Sequence, residues 1–74
     1  MNKFFDYLEQ DLSLPAIREL LDYIRRYVGA VNDDKPVEGK LGNCRFCASA
    51  PSEERVRVHW VQVGRAYIPV DTLV

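Results

Sequence analysis

Ile17, Leu20, Leu21, Ile24, Val28 and Val31 recur at steps of three, one, three, four and three. That spacing lays one apolar stripe along a 3.6-residue period and predicts an amphipathic helix over residues 14–28. Arg18, Glu19, Asp22, Arg25 and Arg26 fall on the opposite side. Asp22 and Arg26 are one turn apart, a pairing that adds roughly 0.2–0.5 kcal/mol. Ser13 suits the cap, Pro15 the first turn, where a missing N–H costs nothing, and Gly29 the stop. A helix with one greasy face needs a second layer to bury it against, and the rest of the chain has to supply that layer.

Two other segments carry a period. Phe4, Phe5, Leu8 and Leu12 lie at helical spacing and predict a short first helix over 2–10, with Asn2 as its cap. From Arg55 to Val63 polar and apolar residues alternate, placing Val56, Val58 and Trp60 on one face and Arg55, Arg57 and His59 on the other. Period two over such a run is a half-buried strand. Gly64 fits a tight turn, and residues 66–70 return as a second strand that Pro69, lacking an N–H, places at an edge. The expected fold is therefore α+β: two N-terminal helices packed on a C-terminal antiparallel β-hairpin, since two strands alone are barely stable in water. A further short strand over 37–41 is compatible with the pattern. The expected core is Phe5, Leu8, Ile17, Leu20, Leu21, Ile24, Val28, Val56, Val58, Trp60 and Ile68.

Seventy-four residues are read as one small domain, with a helical part over 1–31, a loop over 32–54 and the hairpin over 55–74. A chain this short buries only about 60% of the surface its unfolded form exposes, so a staple or a partner is a common supplement. The loop over 32–54 has no periodicity, carries Pro36, Gly39, Gly42 and Pro51, and is long for a compact domain. Asp33-Asp34 reads as a solvated turn. Either part of this loop is disordered or something local organises it, and the Cys44-Arg45-Phe46-Cys47 motif lies inside it.

Two thiolates at that spacing suit a zinc knuckle, a dithiol redox pair, or two plain cysteines. A zinc site needs two further ligands. His59 is the one histidine, and Asp71, Asp34 or Glu54 would complete the set; two chains sharing four cysteines in a homodimer is the other route. The redox reading lacks the βαβ setting that usually carries such a pair. His59 also reads as a surface imidazole beside Arg57, Phe46 as packing at the core's edge, and Arg45 as solvated.

The function classes narrow by elimination. The net charge of −1 and a pI near 5.7 provide no overall basic field for phosphate neutralisation. No apolar run approaches the ~20 residues a membrane helix needs. Acidic residues interrupt the N-terminus too early for a signal-peptide core, so a cytoplasmic setting is expected. No nucleophile–base signature, phosphate loop or acid pair is present, and so short a chain is poorly suited to enclosing a pocket of several hundred Å³. The chain is therefore expected not to be an enzyme. The first expectation is a small regulatory protein that binds a larger protein partner through Tyr23, Arg26 and Tyr27, because Tyr and Arg are enriched at interface hot spots. An inhibitor encoded by a phage or mobile element, aimed at a host enzyme such as the transcription machinery or a defence system, fits that size class. The second expectation is a zinc-stabilised nucleic-acid-binding module that uses Arg55, Arg57 and Arg65; the third is a thiol-redox protein.

Overall fold

The computed structural model describes residues 3–29, 35–52 and 55–74. Asn2, Val31, Asp33, Asp34 and Glu54 lie outside the described residues. Two helices, α1 (Lys3–Leu8) and α2 (Leu14–Gly29), precede four strands, β1 (Val37–Leu41), β2 (Cys44–Ser49), β3 (Arg57–Val63) and β4 (Ala66–Leu73). The class is α+β, as expected. The central segment is not a long loop, however, and the sheet is not a two-stranded hairpin. Residues 37–49 form a hairpin of their own, and the sheet has four antiparallel strands in the order β1-β2-β3-β4.

The physical reason lies in a turn. Leu41 pairs with Cys44, leaving Gly42-Asn43 as a two-residue connection, and Gly42 has φ +60°. Val63 pairs with Ala66 across Gly64-Arg65 in the same way, again with φ +60° at the glycine. Glycine in the left-handed region at the first central position is the requirement of a II′ turn, whose twist matches the flanking strands. Turn chemistry and backbone pairing thus order residues 37–49.

The helix α2 follows its sequence pattern, with Ile17, Leu20, Leu21, Ile24 and Val28 buried and the Ser13 carbonyl accepting from Ile17 N–H at 3.0 Å. In α1 it is Phe4, not Phe5, that is fully buried; Phe5 packs beside it edge-on at 6.3 Å. Ile68 likewise only flanks the core, and Val70 enters it.

The alternation in β3 changes phase. Between Cys47 and Ala48 the partner strand takes two steps, from Trp60 to Val58, and those two steps face three on β4, from Pro69 to Thr72. His59 is thus an extra residue on β3, and β4 adds another where Asp71 takes φ +42°. Bulges of this kind bend a strand and reset its inward face. Val58 and Val61 are both fully buried, so Trp60, expected in the core, turns to the other side of the sheet.

The helix-facing side of the sheet centres on Phe46, which is fully buried rather than at the core's edge. Gly39 stands directly opposite it on β1. A Cβ at Gly39 would meet the Phe46 ring, with Cε1 at 2.9 Å and Cε2 at 3.0 Å, so the ring lies on the glycine backbone. Tyr23 and Tyr27 close the other side of that ring, edge-on at 6.0 and 5.7 Å.

Candidate functional site

A cysteine pair spaced by three on a strand is divided between the two faces, because side chains alternate with period two. Cys44 pairs with Val63 and packs against the helix-side core, whereas Cys47 pairs with Trp60 on the opposite face. At ~3.3 Å per residue their Cα atoms are about 10 Å apart, beyond the ~7 Å limit for a disulfide. Both thiols are free, and the two sulfurs do not converge on one point. Burial raises the pKa of Cys44; burial first, then the Glu38 carboxylate, raises that of Cys47. An activated nucleophilic thiol has the opposite tendency. Among the described residues no group of three or more His, Cys, Asp or Glu side chains could hold a metal ion. Among the described residues, Cys44, Cys47 and His59 are thus not brought together into one donor set.

His59 sits at the bulge, where its Nε2 and the Ser49 hydroxyl share a hydrogen bond of 3.0 Å. Ser49 is buried, so this contact satisfies it. Arg55, Arg57 and Arg65 do not form one row. Arg57 pairs with Asp71 at 3.8 Å, Arg55 lies exposed just before β3, and Arg65 lies in the turn at the far end of that strand. The strand rise puts Arg57 and Arg65 roughly 20–25 Å apart.

The trio Tyr23, Arg26 and Tyr27 is placed together on α2 but is largely committed to packing. The two tyrosine rings stack at 5.9 Å and 24°, both lean on Phe46, and the Tyr27 hydroxyl donates to the Glu38 carbonyl at 3.4 Å. Arg26 reaches Asp22 at 3.2 Å with both side chains largely exposed. Two depressions flank this region, one of about 210 Å³ lined by Glu38, Gly39, Lys40 and Arg45 and one of about 180 Å³ lined by Glu19, Asp22, Tyr23, Arg26 and Leu41. Both are smaller than typical small-molecule sites of ≈ 300–1,000 Å³.

Sequence reasoning missed the outer face of the sheet. Both helices pack on the side that carries Phe46, Val58, Val61 and Val70. On the other side the pairing Glu38–Cys47–Trp60–Pro69 runs across all four strands, next to the row Lys40–Arg45–Gln62–Tyr67. Trp60 is half-buried, Tyr67 is 59% exposed, and their rings lie 5.6 Å apart at 38°. Arg45 and Pro69 are exposed beside them. Among the described residues no element covers this face. The signal that would have revealed it is Gly42-Asn43 between two alternating runs, a hairpin signature that adds two strands and so doubles the area of the face. No protein-family model, curated protein or solved structure matches the chain. No described helix is long and apolar enough to cross a membrane.

Proposed function

We propose that the chain is a small non-enzymatic regulator that acts by docking on a larger protein, and that it docks through the outer face of the sheet. The observation that carries this reading is the Trp60–Tyr67 pair on a sheet face with no covering layer. A sheet buried on one side usually shows water a polar second face. Here that face has two large aromatic rings, Pro69 and the half-buried Leu73, ringed by Lys40, Arg45 and Arg57. Aromatic anchors with arginine at the margin are the composition of interface hot spots. Inhibition of a host enzyme by occlusion, as an element-encoded inhibitor would achieve it, is the mode this small surface suits. Tyr23 and Tyr27 contribute indirectly, by holding Phe46 and hence the sheet.

The test is recovery of a stoichiometric complex from host-cell lysate with matched variants. Tyr67→Ala and Arg45→Glu should abolish it, while Arg26→Glu and Tyr27→Phe should leave it intact. The reverse pattern would return docking to α2. A second reading, single-stranded nucleic-acid binding, has one observation in its favour: stacked rings beside arginines on a sheet are also a base-stacking platform. It requires retention of oligo(dT) or oligo(U) that weakens steeply with salt and is lost in Tyr67→Ala.

A further inference from the structure

Charge is unevenly divided along the sequence. Residues 1–34 contain four Lys/Arg against seven Asp/Glu, and residues 35–74 contain six against four. The near-neutral total thus hides an acidic first half of the sequence and a basic second half. On the outer face the cations bracket the aromatic centre. Arg45 lies in the row on one side of Trp60, opposite Gln62, and Arg57 lies on the other side, opposite Ser49. Strand rise and strand spacing put the two arginine backbones roughly 15 Å apart with Trp60 between them.

Neither arginine is strongly engaged. Arg45 makes no ion pair among the described residues, and the Arg57–Asp71 contact is long, with the Asp71 side chain 79% exposed. Such exposed pairs contribute little and exchange readily for a better partner. A span of roughly 15 Å equals four to five residues of extended chain at ~3.3 Å each. Deepening the docking reading and resting on it, we infer that the outer face receives an extended acidic segment of the partner protein, whose carboxylates meet Arg45 and Arg57 while an apolar residue between them seats on Trp60, Tyr67 and Pro69. Glu38 and Asp71 share this face and would repel a continuous phosphate backbone. Discrete carboxylates can be spaced to avoid them, which favours a protein segment over nucleic acid.

The test uses a random-peptide display library selected on the intact folded chain at low ionic strength. Trp60, the one tryptophan, reports binding by its fluorescence. The expected result is enrichment of peptides in which carboxylates flank an apolar residue, with a shift in Trp60 emission and affinity that falls with salt. Arg45→Glu should weaken them about tenfold without altering the melting temperature, and Arg26→Glu should not affect them. Enrichment of apolar or basic peptides that still shift Trp60 emission would overturn the acidic occupant and leave the docking face standing. Peptides that leave Trp60 unchanged and are lost with Arg26→Glu would overturn both readings. Failure to enrich acidic peptides, or tighter binding of oligo(dT) than of any selected peptide, would also overturn the inference.

Discussion

Replacing Gly39 by alanine should destabilise the protein although alanine is ordinarily the easier residue to order. The backbone at Gly39 is not in the left-handed region, so the new methyl group brings no conformational penalty of its own. Losing glycine's freedom in the unfolded chain would by itself stabilise by about 0.4–1 kcal/mol. Against this, the added Cβ would fall 2.9 Å from Phe46 Cε1 and 3.0 Å from Cε2, with Cζ nearer still. The ring cannot swing aside easily, because Phe46 is fully buried and two tyrosine rings bear on it. Overpacking of this kind costs about 1–3 kcal/mol. The net loss should be about 1–2 kcal/mol, which lowers the melting temperature by roughly 4–16 °C in a chain of this size. Thermal melts by circular dichroism, with urea unfolding for the free energy, measure it. The decisive comparison is the same substitution in a Phe46→Leu background. Leucine removes the atoms that Cβ would strike, so Gly39→Ala should there cost less than about 0.5 kcal/mol, a clear departure from additivity. An equal cost in both backgrounds, or an unchanged or higher melting temperature in the single variant, would refute the placement of Phe46 on Gly39.

Four further outcomes follow from the structure. Cys44 and Cys47 should react slowly with a thiol reagent near neutral pH and form no disulfide with each other while the chain is folded; rapid reaction, or an intramolecular disulfide under mild oxidation, would contradict their placement on opposite faces. Both thiols have folded pKa values above the ordinary one, so their contribution to stability is full below the ordinary thiol range and is lost as pH rises through the folded values. Wild type should therefore show a fall in melting temperature in alkaline solution that Cys44→Ala/Cys47→Ala does not share. Asp71→Val forces a β-branched residue to φ +42° and should cost about 1–3 kcal/mol, whereas Asp71→Gly should be close to neutral because the Arg57 contact it removes is long and exposed; equal stability of the two by urea unfolding would argue against the second bulge. Tyr27→Ala should lose about 1–2 kcal/mol with the ring that bears on Phe46, while Tyr27→Phe should lose under ~0.5 kcal/mol, since the hydroxyl bond is long at 3.4 Å; a stability-neutral Tyr27→Ala in a thermal melt would restore Tyr27 as a free contact residue.

Much of the fold was legible in local spacing. The stripe of α2, the return of the chain at Gly64 and the edge position of the Pro69 strand depend on period, turn chemistry and a missing N–H, all of which act within a few residues. The Gly42-Asn43 hairpin was equally local but was masked by proline and glycine in the same stretch, and reading 32–54 as a loop hid two strands. That single reading also misplaced the cysteines. In a loop, a spacing of three can bring two sulfurs together, whereas on a strand it sends them to opposite faces.

The tertiary structure decided the rest, because it depends on what lies across the sheet. No period within β3 announces that His59 is an extra residue; the mismatch exists only against β2 and β4, and it alone moves Trp60 from the core to the outer face. The choice of Phe46 as the centre of the core needs Gly39 from one strand and Tyr23 and Tyr27 from a helix, contacts between segments that no local pattern relates. The candidate docking face is likewise a product of register. Arg45, Trp60, Pro69 and Tyr67 come from three different strands, and only backbone pairing sets them side by side.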